Sequence, residues 1–423
     1  MTAYSATSTF LLATAAALAT LSPAQAQSGD ASEKAAGRVA KDVAAVEAAY
    51  LVSPALADKL GCRVSWQATV PVPAGESIRM VASGPAGVFA LNTRNEVTLV
   101  RSSTGDIGWT ASAGLSVDNI LDLQVMLLGP KALPRVVVLA DTGVWTLDLE
   151  SGETVSKANL RYAPSTLPTL SNGAIIYGTR SGEVVWLTAA TGFVRKAAIV
   201  DGTHRKQSAI LAMPTAADGV VVAGSSNGTV AGYDAETGKL MWSRELLAGM
   251  TASAAIDNDA AFVASDDQYL YAFDLGDGST NWKYFTQVPL TTPPICAGDM
   301  VMQRIPGEGL VACAQDAGDN LNGGVLWKNQ DASGRPIALE GNTLVMWCNQ
   351  HRRVTMVDAT KGYTTGSFEL PAVTKLVAGS LEDGGYVAYG ADGRIEKLSP
   401  VAKAPATAAA PADDNADQAA SNG

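Results

Sequence analysis

Histidine is almost missing from this 423-residue chain, which has only His204 and His351, and cysteine is scarce, with four residues. Two histidines leave few parts for a histidine-built metal site or a Ser–His–Asp triad. Cys62, Cys296, Cys313 and Cys348 form no C-x-x-C and no C-x-x-C-H, so no metal motif, redox motif or haem attachment site is spelled out. Their even number is compatible with disulfides in an oxidising compartment, in any of three pairings. An excess of basic residues is also lacking. The formal charge of −11 argues against nucleic acid or an anionic membrane as the main partner.

Long apolar runs are confined to the start of the chain. Phe10 to Leu21 is apolar but shorter than the ~20 residues that span a bilayer. It is followed by Ala24-Gln25-Ala26, a small-x-small pattern. Residues 1–26 therefore read as a cleaved export signal, although this one lacks Lys and Arg, with Gln27 the first mature residue. The mature chain is expected to carry no transmembrane segment. It is also expected to carry no lipobox anchor, since the first cysteine is Cys62.

What the chain has in quantity is glycine, 41 residues, which favours β structure with many turns. A helical extension is expected over 27–60. Val39, Val43, Val46 and Tyr50 share one face at a 3.6 period within Glu33 to Leu51, and Pro54 opens a second short helix behind Ser53 as its cap. Residues 400–423 are mostly Ala, Pro, Asp and Asn, too poor in large apolar side chains to offset the entropy of ordering, and read as a disordered tail.

Between these ends one short stretch recurs. Asp234-Ala-Glu-Thr-Gly238-Lys-Leu-Met-Trp242 is the clearest copy, and Asp274 to Trp282, with Gly278, is its neighbour. Gly105 with Trp109, Asp148 with Gly152, Gly192, Gly323 with Trp327, and Asp358 with Gly362 mark the other copies. Successive glycines are 39 to 47 residues apart, the spacing of propeller blades. Each copy reads as a hairpin turn, in which the Asp accepts backbone N–H groups and the Gly takes a positive φ. The sixth copy carries extra residues, and Asp316 rather than Asp319 is its candidate acid. The tryptophan four residues past the glycine reads as packing between adjacent sheets.

Upstream runs such as Gly219 to Gly224 and Ala260 to Ala264 supply further strands, giving four per unit. Tyr386 to Tyr389 and Arg394 to Leu398 form a last unit that lacks its outer strand, while Cys62 to Trp66 supplies an outer strand without a unit. The ends are expected to close on each other. The expectation is an all-β propeller over 61–399, with eight rather than seven blades of four antiparallel strands.

The D-x-x-T-G-x-x-x-W turn resembles the PQQ-like, quinoprotein-type β-propeller family over about Cys62 to Leu398. That resemblance implies one of two activities. Outer-membrane assembly factors of the BamB type are exported scaffolds without a cofactor that bind protein in the envelope, serving the β-barrel assembly machinery. Quinoprotein alcohol dehydrogenases hold pyrroloquinoline quinone and calcium in the funnel and often carry a disulfide between adjacent cysteines, which this chain lacks. The recurrent acids read as turn residues rather than catalytic bases. We therefore expect no enzyme, no catalytic residue and no metal, but a protein-binding scaffold in the periplasm or at the periplasmic face of the outer membrane. Its candidate partner-binding loop is His204-Arg205-Lys206, with His351-Arg352-Arg353 a second basic cluster.

Overall fold

The computed structural model describes residue 45 and residues 48–128, 131–200, 208–378 and 385–401. The chain divides into two units, Met1–Ala48 and Ala49–Gly423. In the first, Ala45 and Ala48 are described and are helical. The expected signal, most of the helical extension and the tail beyond 401 lie outside the described residues.

The second unit is a propeller of eight four-stranded antiparallel sheets. Blade 1 runs from its innermost strand to its outermost as β2 (Ile78–Gly84), β3 (Gly87–Asn92), β4 (Glu96–Arg101) and β5 (Ile107–Ser112). Blades 2 to 7 repeat that order. They are β6 (Ile120–Leu128) to β9 (Thr154–Asn159), β10 (Thr169–Ser171) to β13 (Val194–Ile199), β14 (Thr215–Ala217) to β17 (Leu240–Glu245), β18 (Ala255–Asp257) to β21 (Thr280–Phe285), β22 (Ile295–Ala297) to β25 (Val325–Asn329), and β26 (Arg335–Glu340) to β29 (Thr364–Glu369). Blade 8 joins β30 (Lys375–Ala378), β31 (Tyr386–Tyr389) and β32 (Arg394–Pro400) to the first strand, β1 (Cys62–Thr69). The expected closure of the ends is thus observed, with Cys62 opposite Pro400 and Thr69 opposite Arg394. Pro400, assigned from the sequence to the tail, ends a strand instead, because β1 supplies its ladder partner.

The sequence pattern follows from the stacking of the blades. Middle strands such as Val220–Gly224 and Ala260–Ala264 are buried throughout, since a neighbouring blade covers each face. Outermost strands such as Thr364–Glu369 alternate between exposed and half-buried residues. The apolar core accordingly lies between sheets. Eight clusters occupy the eight seams, for example Val222, Val230 and Trp242 of blade 4 against Val263, Tyr271 and Phe273 of blade 5.

Helix α1 (Pro54–Lys59) leads into β1. Ser53 stands at its N-cap but makes no side-chain cap bond, contrary to expectation. Its carbonyl instead accepts from Leu56 and Ala57. The first helix, expected to reach Leu51, stops at Ala49. The Leu51 N–H is taken by Gln67 Oε1 and Glu396 Oε2, both at 2.9 Å, so it cannot continue a helical ladder. Leu51, Val52, Ala57 and Leu60 are buried against Trp347, Val354, Leu370 and Tyr386 of blades 7 and 8.

Candidate partner-binding face

The recurrent turn is structural at the atomic level. Asp234 Oδ1 accepts from the N–H and the hydroxyl of Thr237 at 2.7 and 2.6 Å, and these bonds hold its carboxyl below the usual carboxylate range. Asp148, Asp274 and Asp358 each accept two backbone N–H groups of their own turns. The sixth copy corrects the sequence reading, because neither Asp316 nor Asp319 holds the position. Ala314 does, its N–H donating to Gly324 O as the Asp274 N–H donates to Ser279 O. Asp316 and Asp319 belong to the extra residues that widen this turn.

The tryptophans reach across the seams. Indole Nε1 of Trp66, Trp109, Trp242, Trp282 and Trp327 donates to Ser102, Leu149, Leu275, Gln315 and Ala359 O, each on the next blade, at 2.7–2.9 Å. The same rings lie on the turn glycine of that blade. A Cβ on Gly278, at φ +72°, would sit 2.6 Å from the Trp242 ring, so glycine is required twice over, by conformation and by space. In every blade the outermost strand slips register by one residue just before this position, for instance between the pairs Gly232↔Trp242 and Tyr233↔Leu240. Such a bulge re-aims the side chain that follows it.

Three copies depart from the pattern. In blade 3, Lys196 holds the tryptophan position, and its cross-strand partner Trp186, on β12 (Glu183–Thr188), is fully buried against Tyr233 of blade 4 at 5.5 Å between ring centroids. In blade 2, Ser156 holds the position, its hydroxyl 3.5 Å from Ala190 O. In blade 7, Gly366 holds it, and blade 8 has no corresponding turn, since the chain ends meet there through Val401 N–H to Gly61 O. Trp145 and Trp347 are likewise buried in seams.

Antiparallel order puts the connectors between blades on one face and these turns on the other. The loop His204, Arg205 and Lys206 falls on the connector from blade 3 to blade 4 but lies outside the described residues. Sequence reasoning missed the apolar residues of the same face. Leu115 and Val117 are on the first connector, Leu167 on the second, Leu211 on the third and Leu247 on the fourth. Val117 is 85% and Leu247 92% exposed, the highest values among the described large apolar side chains, while the turn face also exposes Phe193 at 69% and Leu321 at 66%. In a sequence, a lone valine or leucine of this kind looks like a core residue.

Reactive groups are dispersed. All four cysteines are free, and burial pushes the Cys62 thiol up to about 11 and those of Cys296 and Cys313 up to about 12. Cys348 Sγ lies 3.3 Å from His351 Nδ1. Burial raises Asp122, which accepts from Gln124 Nε2 at 2.6 Å beside a cavity of about 440 Å³ between the inner strands of blades 1 and 2. Among the described residues no three His, Cys, Asp or Glu side chains cluster to hold a metal, the recurrent acids are spent in turns, and Trp145, Trp186 and Trp347 are packed in seams.

The family model described as outer membrane protein assembly factor BamB matches residues 55–284, more than half of the chain. Among solved structures, BamB from Moraxella catarrhalis is similar at 21% identity and TM-score 0.58, over 79% of this chain and 98% of that one. The computationally designed Ika8 protein is similar at 18% identity and TM-score 0.58, over 79% and 99%. Quinohemoprotein alcohol dehydrogenase from Comamonas testosteroni is similar at 12% identity and TM-score 0.57, over 82% and 78%. These three likenesses show the fold alone. A search of curated protein sequences finds no match.

Proposed function

The chain belongs to the BamB family of PQQ-like propellers, and from that premise we propose that it is a non-enzymatic scaffold of the cell envelope. In this reading it is exported to the periplasm or the periplasmic face of the outer membrane and carries no cofactor. It binds a protein partner engaged in outer-membrane assembly, the β-barrel assembly machinery being the leading candidate.

One observation carries the reading: apolar side chains stand exposed on four successive connectors of a single face, from Leu115 to Leu247. Val117 and Leu247 are the most exposed large apolar side chains among the described residues, and exposed apolar surface is a usual footprint of an interaction site. Variable connectors on a rigid ring are also where binding residues concentrate. Arg205 and Lys206, which fall in sequence between blades 3 and 4 of a chain of net charge −11, suit an acidic patch on the partner.

Crosslinking in the native envelope, followed by mass spectrometry, tests the proposal. The double variant Val117→Asp, Leu247→Asp is expected to lose the crosslinked partner while keeping the wild-type unfolding midpoint. Charge reversal at Arg205 and Lys206 is expected to weaken capture to a lesser degree. Undiminished capture in both variants would remove the connector face from consideration. Addition of pyrroloquinoline quinone with calcium is expected to give neither bound chromophore nor dye reduction, and turnover in that assay would replace the scaffold reading with an oxidoreductase.

A further inference from the structure

The seam between blades 6 and 7 contains a cation held in place without a counter-ion. Arg304 lies on β23 (Met300–Ile305), and its guanidinium is anchored by backbone alone. Nη2 donates to Ala332 O and Gly334 O, both at 2.8 Å, and Nε donates to Gly334 O at 3.2 Å. Nη1 makes no bond among the described residues, and Arg304 forms no ion pair there. Burial works against its charge. Nη1 keeps donors that an anion can take, and hydrogen bonds to ionised groups are the strong ones.

Two cavities flank this side chain. One, of about 410 Å³, is polar at its edge, with Thr291, Thr292 and Gln330 beside the turn at Gly307. The other, of about 200 Å³, is lined mainly by apolar groups of Pro293, Ile295, Met302, Leu310 and Pro336, with Arg335 also in its lining. Arg304 and Thr292 belong to both. Drug-sized ligand sites run to roughly 300–1,000 Å³, so the smaller cavity suits a group of side-chain size.

We propose that this cleft binds a carboxylate carried on a short apolar group, the carboxylate meeting Arg304 Nη1 while the apolar group enters the cavity among Ile295, Met302 and Leu310. Two sources share that chemistry, a free small acid and the last residue of a peptide. The proposal is independent of the scaffold reading, which rests on other connectors.

Calorimetric titration of the full chain tests it with N-acetyl-leucine, N-acetyl-leucinamide, and a blocked pentapeptide ending in leucine with a free or an amidated terminus. Each free acid is expected to bind about tenfold or more tightly than its amide, as loss of a charged hydrogen bond implies. A peptide acid at least about tenfold tighter than N-acetyl-leucine identifies the peptide source, and equal affinities identify the free acid. Arg304→Gln is expected to abolish the preference for acid over amide. Met302→Phe, which leaves the bonds of Arg304 intact, is expected to weaken N-acetyl-leucine about tenfold by filling the cavity. Equal binding of acid and amide, no binding of either acid, or unchanged affinity in Met302→Phe would overturn the proposal.

Discussion

Seams 4/5, 5/6 and 6/7 are closed by one device, whereas seams 2/3, 3/4 and 7/8 are each closed by a different one. In the first group Trp242, Trp282 and Trp327 lie on Gly278, Gly323 and Gly362 and donate to the carbonyl of Leu275, Gln315 or Ala359. Opposite each tryptophan on its own sheet is a small residue, Gly232, Ala272 or Ala312. In the second group the bulge persists but the ring does not. Blade 3 moves its bulk across the strand pair, Trp186 for Lys196, and seam 7/8 is filled by Leu51, Val52 and Leu60 ahead of β1. The bulge sets the geometry of a seam, and the volume can come from either strand of the pair or from another segment. Total volume and patterning are what a core demands.

That contrast can be broken where it is strongest. Trp282→Ala removes a ring that is 2% exposed together with its bond to Gln315, and it is expected to cost about 3–5 kcal/mol in urea unfolding. Ser156→Ala, at the same position of seam 2/3, is expected to stay within about 0.5 kcal/mol. Equal losses would mean that the tryptophan closes no seam.

Gly278→Ala places a methyl against the Trp242 ring at φ +72°, for an expected loss of about 2–4 kcal/mol from backbone strain and overpacking. Gly238→Ala at seam 3/4 meets first the Lys196 chain, at 2.8 Å, which can swing aside, so a smaller loss is expected in the same measurement.

Glu396 sharpens the picture at seam 7/8. It is fully buried, accepts from Leu51 and Val52, and burial raises its carboxyl to about 7. Because the folded value lies above the unfolded one, its stabilising contribution is complete below the unfolded value and is lost as pH rises through about 7. Thermal unfolding should therefore show the midpoint of the wild type falling between pH 5 and 7.5 relative to Glu396→Gln. Parallel curves would remove Glu396 as the cause. The smallest effect is expected at the turns. Asp274→Ala should cost about 0.5–1.5 kcal/mol by equilibrium denaturation, since blade 6 already forms its turn with Ala314 in that position.

The blade count, the closure of the ends and the hairpin chemistry were legible in the sequence because glycine and tryptophan recur at a fixed phase. The equivalence of Ala314 was hidden because the extra residues around Asp316 offered acids in the wrong place. The exchange of Trp186 for Lys196 was hidden for another reason, since residues ten apart become neighbours only once the strands pair. The bulge leaves no residue signature, as Ser65, Met241 and Leu326 all occupy it. Exposure at Val117 and Leu247 depends on what covers the connectors, which no local pattern encodes. The Arg304 cleft needs two connectors and a hairpin turn brought together and was not visible for the same reason.

The pairing of Cys62–Thr69 with Arg394–Pro400 also fixes a schedule. The outermost strand of the last blade is made first, so it has no ladder partner until nearly the whole propeller has been synthesised. Until then two seams stay open, and the free edge of β32 can accept only the segment that left the ribosome more than three hundred residues earlier. Bringing together ends so distant raises the entropic cost of closure only slowly with length, but it makes closure the late event in folding. A chain cut short before Arg394 would thus leave β1 without its partner and the seams on both sides of blade 8 only half filled, the mark of an unfinished ring for quality control in the cell.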